Sequence, residues 1–133
     1  MATITLNGHP THTCGELPLV GHATPPFTLT RKDLSDLSSV DLEGQRVILS
    51  IFPSLDTSTC AESVRKFNHL TADLQDAVLL CVSMDLPFAQ SQFCGSEHLE
   101  RVVTASAFRH LEFGTAFGLT LIDGPMRGLL ARA

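Results

Sequence analysis

Val47-Ile48-Leu49-Ser50-Ile51-Phe52 runs into Pro53-Ser54-Leu55-Asp56-Thr57-Ser58-Thr59-Cys60, and Val64, Phe67, Leu70 and Leu74 follow at three- and four-residue steps. The first run is apolar and rich in β-branched residues, as a strand buried on both faces requires. The last pattern is that of one face of a helix. Between them lies a polar turn, so the order is strand, turn, helix, with a cysteine in the first turn of the helix. Thr59-x-x-Glu62 fits a capping box at that start. Unpaired amide N–H groups and the positive end of the helix dipole then face the sulfur, which favours a nucleophilic thiolate. The same spacing also fits a small buried, inert cysteine.

Working outward, Ala77-Val78-Leu79-Leu80-Cys81-Val82-Ser83-Met84 is a second apolar run. Two such runs separated by a helix predict adjacent parallel strands in a βαβ unit. Cys81 falls inside the run and reads as core. Pro87 predicts the first position of a second helix, with Cys94 one to two turns later and Gly95 as a break. Val102–Ser106 predicts a third strand, and Glu112–Phe117 a short helix closed by Gly118. Asp123-Gly124-Pro125 is a turn, and Leu129–Arg132 opens a further strand. Upstream, Thr3–Leu6 alternates and meets Asn7-Gly8, a hairpin signal, with a return strand around Thr11–Thr13. Thr24-Pro25-Pro26-Phe27-Thr28-Leu29-Thr30 reads as a short edge strand after a proline stop. Lys32 to Asp41, with Leu34 and Leu37, reads as turn and short helix ending near Gly44. Cys14, His9, His12 and His22 are expected in surface loops. The expected fold class is α/β, thioredoxin-like, in one domain covering residues 1–133.

The chain has 133 residues, 44% of them hydrophobic and 17% charged, with a net charge of −5. That suits a folded domain and excludes a disordered chain. No basic cluster, no Trp and no Tyr are present, so nucleic acid and anionic membrane are poor partners. No run is long enough to cross a bilayer. The N-terminus lacks a secretory pattern, which points to the cytoplasm without excluding a periplasmic form whose leader has been removed. The four cysteines form no C-x-x-C pair, and the spacing of Cys and His does not suit zinc. No cofactor and no metal are expected. Redox use of one cysteine pair fits better.

The run Phe52 to Phe67, FPSLDTSTCAESVRKF, resembles the active-site segment of the bacterial thiol peroxidases, a branch of the peroxiredoxins that uses two cysteines within one chain (atypical 2-Cys). Pro53, Thr57 and Cys60 meet its Pro-x-x-x-Thr-x-x-Cys pattern. Asp85–Gly95, with Cys94, resembles the second-cysteine segment, and Asp123-Gly124-Pro125 and Gly128–Ala133 resemble the segment that carries an arginine. The resemblance implies a peroxiredoxin-type thioredoxin fold with an N-terminal β-hairpin, and a thiol-dependent peroxidase acting on alkyl hydroperoxides and hydrogen peroxide. It implies Cys60 as the peroxidatic cysteine, Cys94 as the resolving one, and an intrachain disulfide recycled by thioredoxin. Thr57 and Arg132 would donate to sulfur and peroxide, and Pro53 would shield the thiolate. The residues alone leave bland roles open: Thr57 as a helix cap, Pro53 as a strand stop, Arg132 as a frayed terminal charge, Cys94 as a half-buried helix residue. A homodimer is also implied.

Four further expectations follow. Cys60 and Cys94 sit on separate helices, beyond the Cα separation of about 7 Å that a disulfide tolerates, so both helix ends must unwind in the cycle. Phe88 and Phe93 are placed to wall an apolar substrate pocket. Family members continue past Ala133 through a β-hairpin and a helix, so this chain reads as truncated at its C-terminus, with an unanchored last strand, exposed apolar sheet and a poorly aimed Arg132. A truncated thioredoxin-like module that senses redox state or binds a partner, without catalysis, is the alternative to an enzyme.

Overall fold

The computed structural model describes residues 1–99 and 101–133. β1 (Thr3–Leu6) and β2 (His9–His12) form a two-stranded antiparallel hairpin. Asn7 and Gly8 turn it with φ of 51° and 81°, the left-handed pair such a turn requires. β3 (Thr28–Thr30), β4 (Asp36–Ser38), β5 (Arg46–Ile51), β6 (Ala77–Ser83) and β7 (Val102–Ser106) form one five-stranded sheet in the order β4-β3-β7-β6-β5. β5, β6 and β7 are parallel neighbours. α1 (Ser58–Leu70) links β5 to β6, α2 (Pro87–Ser96) links β6 to β7, and α3 (Leu111–Ala116) follows β7.

The continuous apolar runs are explained by burial on both faces. Along β6, Leu80 and Val82 point into one core with Phe27, Leu29, Phe113 and Leu130. Leu79 and Cys81 point into the other, with Phe52, Cys60 and Val64. The period-two alternation of a strand thus serves two apolar layers. The first core is locked by Phe27, Phe113 and Phe117, whose ring centroids lie 4.6 to 6.1 Å apart.

Several expectations change. β3 is interior, not an edge: β4 outside it is the edge strand. The segment expected as turn and short helix holds β4 and then a 3₁₀ turn, Ser39–Leu42, capped by Ser38 and Asp41. Three-residue strands are too short for a periodic signal. Gly95 does not break α2, which runs on to Ser96. α1 stops at Leu70, where the Thr71 hydroxyl donates to the Phe67 carbonyl, leaving Leu74 outside.

The last segment is not a regular strand. It makes an isolated bridge, Leu130 with Thr120. It is nonetheless anchored. Ala131 N–H donates to Leu119 O at 2.9 Å, and Ala133 and Ile51 exchange two backbone bonds at 2.8 and 2.9 Å. Apolar exposure falls on α1, where Phe67 and Leu70 are 38% and 58% exposed, rather than across the sheet face where it was expected. Among the described residues, no helix is long and apolar enough to cross a membrane.

Candidate active site

α1 begins without a side-chain cap. Thr57 is its N-cap, but its hydroxyl donates back to Ser54 O at 2.8 Å rather than accepting from the helix. The expected Thr59–Glu62 capping box is therefore absent, and Glu62 instead accepts from Arg65. Among the described residues, the N–H groups of Ser58, Thr59 and Cys60 have no acceptor; the first intrahelical bond is Ala61 N–H to Thr57 O. A filled cap would quench this end of the helix. Left open, it presents donors and a positive dipole to whatever lies at Cys60.

Cys60 is 2% exposed. Its Sγ accepts from Arg132 Nη2 at 3.1 Å, and Arg132 Nη1 donates to Ser63 Oγ at 2.8 Å. The arginine expected to be poorly aimed is thus held from both sides: its neighbours Ala131 and Ala133 are bonded through the backbone, and its fork spans one turn of α1. Pro53, Thr57, Cys60 and Arg132 line one cleft of about 770 Å³. Its far wall is the hairpin, through Ile4, Leu6 and Thr11, with Leu121 and Met126 beside it. Phe88 and Phe93 do not line this cleft: Phe88 is 64% exposed and Phe93 packs toward the core under α1. Neither borders the Cys60 cleft, so the expected aromatic wall is replaced by an aliphatic one.

Cys94 is elsewhere. It is half-buried on α2 and opens on a separate cleft with Arg31, Lys32 and Thr104. All four cysteines are free thiols. Burial pushes the Cys94 thiol up, and pushes Cys81 up to about 12, with nearby Cys94 adding to it. Both are held protonated in the folded chain. Cys81 is fully buried, as its apolar run indicated. Cys14 is exposed, its Sγ 3.6 Å from Gly114 O. Among the described residues, no group of three or more His, Cys, Asp or Glu is placed to hold a metal.

Two carboxylates that the sequence reading passed over build this site. Asp85, between β6 and α2, accepts from Ser54 Oγ at 2.6 Å, from Leu55 N–H at 2.8 Å and from Ser83 Oγ at 2.7 Å. It pins the loop that delivers Thr57 and Cys60. Asp85→Asn leaves one oxygen for three donors, and is expected to lower stability by about 1–3 kcal/mol in urea melts and to slow peroxide turnover with it. Asp123 accepts from Thr11 Oγ1 at 2.7 Å, from His12 N–H at 2.9 Å and from His12 Nδ1 at 2.6 Å. It fastens the hairpin over the cleft.

The Thr11 hydroxyl, then the His12 ring and amide, hold the Asp123 carboxyl down at about 2. A carboxyl depressed in the folded state contributes stability above its unfolded value of about 3.9 and loses it as pH falls toward the folded one. Hairpin protection, followed by amide exchange, is therefore expected to fade between pH ~4 and ~2. Asp123→Asn should flatten that transition and loosen the hairpin at neutral pH.

The redoxin family pattern matches residues 19–133. Over all 133 residues the chain is 56% identical to thiol peroxidases of Mycobacterium bovis and Mycobacterium tuberculosis, covering 79% of their length. The chain belongs to the thiol peroxidase family. Its peroxiredoxin-type thioredoxin fold is shared with a peroxiredoxin-like protein from Aquifex aeolicus, at a TM-score of 0.88 and 34% identity over 98% of this chain and 75% of that one. A thiol peroxidase from Chromobacterium violaceum has a TM-score of 0.86 at 16% identity, over the same shares of the two chains, and speaks to the fold alone. The chain is thus a thiol-dependent peroxidase, and the non-catalytic alternative is set aside. Within this family member, Asp85 gave a weak sequence signal, a lone acid after a strand and before a helix-starting proline. Asp123 gave only a turn signal.

Proposed function

We propose that peroxide reduction runs through Cys60, and that the observation carrying this reading is the Arg132 guanidinium 3.1 Å from a buried Sγ at an uncapped helix mouth. The thiolate attacks the terminal oxygen of a hydroperoxide; the S–O bond forms, the O–O bond breaks, and alcohol or water leaves. Arg132 and the free N–H of Cys60 donate to the oxygens as charge moves to the leaving one. Thr57 Oγ already donates to Ser54, so it meets the substrate as an acceptor for the hydroperoxide O–H. Pro53 screens the sulfur from bulk water.

Hydrogen peroxide and alkyl hydroperoxides both fit this reading, the aliphatic residues Ile4, Leu121 and Met126 offering room for an organic group. Cys94 is the resolving cysteine. Its thiol displaces hydroxide from the Cys60 sulfenic acid, releasing water and forming the intrachain disulfide. The protonated, half-buried state of Cys94 supports the view that α2 must unwind first. Thioredoxin, a dithiol, then reduces the disulfide by exchange. Homodimerisation and a cytoplasmic location belong to the same reading, carried over from the resemblance.

The test is a coupled assay with thioredoxin, thioredoxin reductase and NADPH. The chain as it stands is expected to turn over repeatedly, and Cys94→Ser to give one equivalent of peroxide consumed followed by slow turnover. Undiminished steady turnover in Cys94→Ser would refute the resolving role.

A further inference from the structure

Arg65 and Glu97 join the helix that carries Cys60 to the end of the helix that carries Cys94. Arg65 lies on α1, and Glu97 is the C-cap of α2. The guanidinium donates from Nε to one carboxylate oxygen at 3.0 Å and from Nη2 to the other at 2.9 Å. That two-pronged fit is the strongest geometry an arginine and a carboxylate share. The guanidinium carbon also stands 5.9 Å from the Phe93 ring centroid, and Nη1 reaches Glu62 at 3.3 Å. Both bridge side chains are only partly exposed, 41% and 34%.

Both thiols are free and open on different clefts, so in the reading above the disulfide needs a helix end to unwind and carry Cys94 toward Cys60. Glu97 follows Cys94 by less than one turn of backbone. Unwinding that carries Cys94 toward Cys60 must therefore move Glu97 off Arg65. The bridge exists in the wound form and is lost in the form that reacts.

We propose that the Arg65–Glu97 bridge is a latch on the disulfide-forming step, setting how often Cys94 is released to reach oxidised Cys60. The proposal rests on the reading of Cys60 and Cys94 given above. Two fates then compete for the Cys60 sulfenic acid. In one, the Cys94 thiol attacks: the S–O bond breaks, the S–S bond forms, and hydroxide leaves with the thiol proton as water. In the other, a second hydroperoxide delivers an oxygen to sulfur, its O–O bond breaks, and the products are sulfinic acid and alcohol or water. A firm latch prolongs the sulfenic acid and so admits the second fate. Arg65 and Glu97 are positioning residues: they touch neither substrate nor sulfur. Burial of the Cys94 thiol agrees, since a protonated thiol is a poor nucleophile until released.

The experiment compares the wild-type chain with Glu97→Gln and Arg65→Lys. Hydrogen peroxide is added to each reduced protein, the reaction is quenched with acid, and free thiols are alkylated for mass spectrometry; with no Trp or Tyr, the chain has no useful intrinsic fluorescence. Sulfenic acid should form at the wild-type rate in Glu97→Gln. Disulfide should form about fivefold faster, within the range a partly exposed ion pair present in only one of two states commands. The sulfinic fraction at high peroxide should fall to match, and Arg65→Lys, which keeps charge without the fork, should lie between. Disulfide formation at or below the wild-type rate, with an unchanged sulfinic fraction, overturns the latch even if the melting temperature drops; a mere brace would move only that temperature. Failure of the wild-type chain to form any Cys60–Cys94 disulfide is a separate result, and sinks the resolving reading together with the latch.

Discussion

Cys60→Ser is expected to lose peroxide turnover by more than about four orders of magnitude, the scale seen when a covalent nucleophile is removed from an enzyme. A hydroxyl at this position is neither ionised nor soft, so the surrounding donors have no attacking atom to serve. Folding should survive. Serine is close in size, and Cys60 sits where N–H groups and a guanidinium would satisfy its oxygen. The check is peroxide consumption with melting temperature measured on the same sample. Activity that persists with the fold intact would move the chemistry to another thiol, and Cys14, Cys81 or Cys94 would have to carry it.

Arg132→Met is the second large effect, a loss of about 10²–10³ in kcat/KM, as for removal of one preorganised donor to a developing charge. Arg132 bonds the sulfur and Ser63 with its two terminal nitrogens. It stays charged at any working pH and its fork fixes two directions at once. Methionine keeps much of the stem and removes the fork. Ser63→Ala, which removes only the outer support, should cost far less. Arg132→Lys should fall between, because a point charge can approach the sulfur but cannot hold Ser63 and Sγ together. A loss in Arg132→Met no larger than in Ser63→Ala would show that the arginine merely packs against the helix.

The parallel core was legible because β6, with the ends of β5 and β7 beside it, is buried on both faces, and the β5 and β6 segments print themselves as apolar runs. α1 and α2 were legible from period and from Pro87. The segment from Thr28 to Leu42 was not. Its strands are three residues long, and the interior place of β3 is set by a single bridge from Thr30 to Ser106, a contact that no local pattern encodes. The reach of the Cys60 helix was overestimated at Leu74 because apolar spacing continues past the Thr71 cap.

At the site, the cysteine at a helix start was readable from residues alone, but its partner was not. Arg132 is 72 positions away, and only the family resemblance put the two together. The hairpin was visible as a hairpin; that it walls the cleft depends on Asp123, more than a hundred residues on. Asp85 gave only a weak signal for a different reason. Its three acceptor bonds converge from β6 and from the loop before α1, so its importance is a property of the assembled sheet end. The aromatic wall expected from Phe88 and Phe93 failed because helix phase alone does not say which cleft a face will meet.

The order in which the four cysteines oxidise tests the central claim most directly. A substoichiometric amount of hydrogen peroxide is added to reduced Cys94→Ser, sulfenic acid is trapped with a dimedone-type probe, and the labelled peptide is found by mass spectrometry. Accessibility ranks exposed Cys14 first and Cys60, at 2% exposure, far behind. Donors at the helix mouth reverse that order. Label on Cys60 before any other cysteine is the predicted result; label first on Cys14, or spread among the thiols, would contradict it.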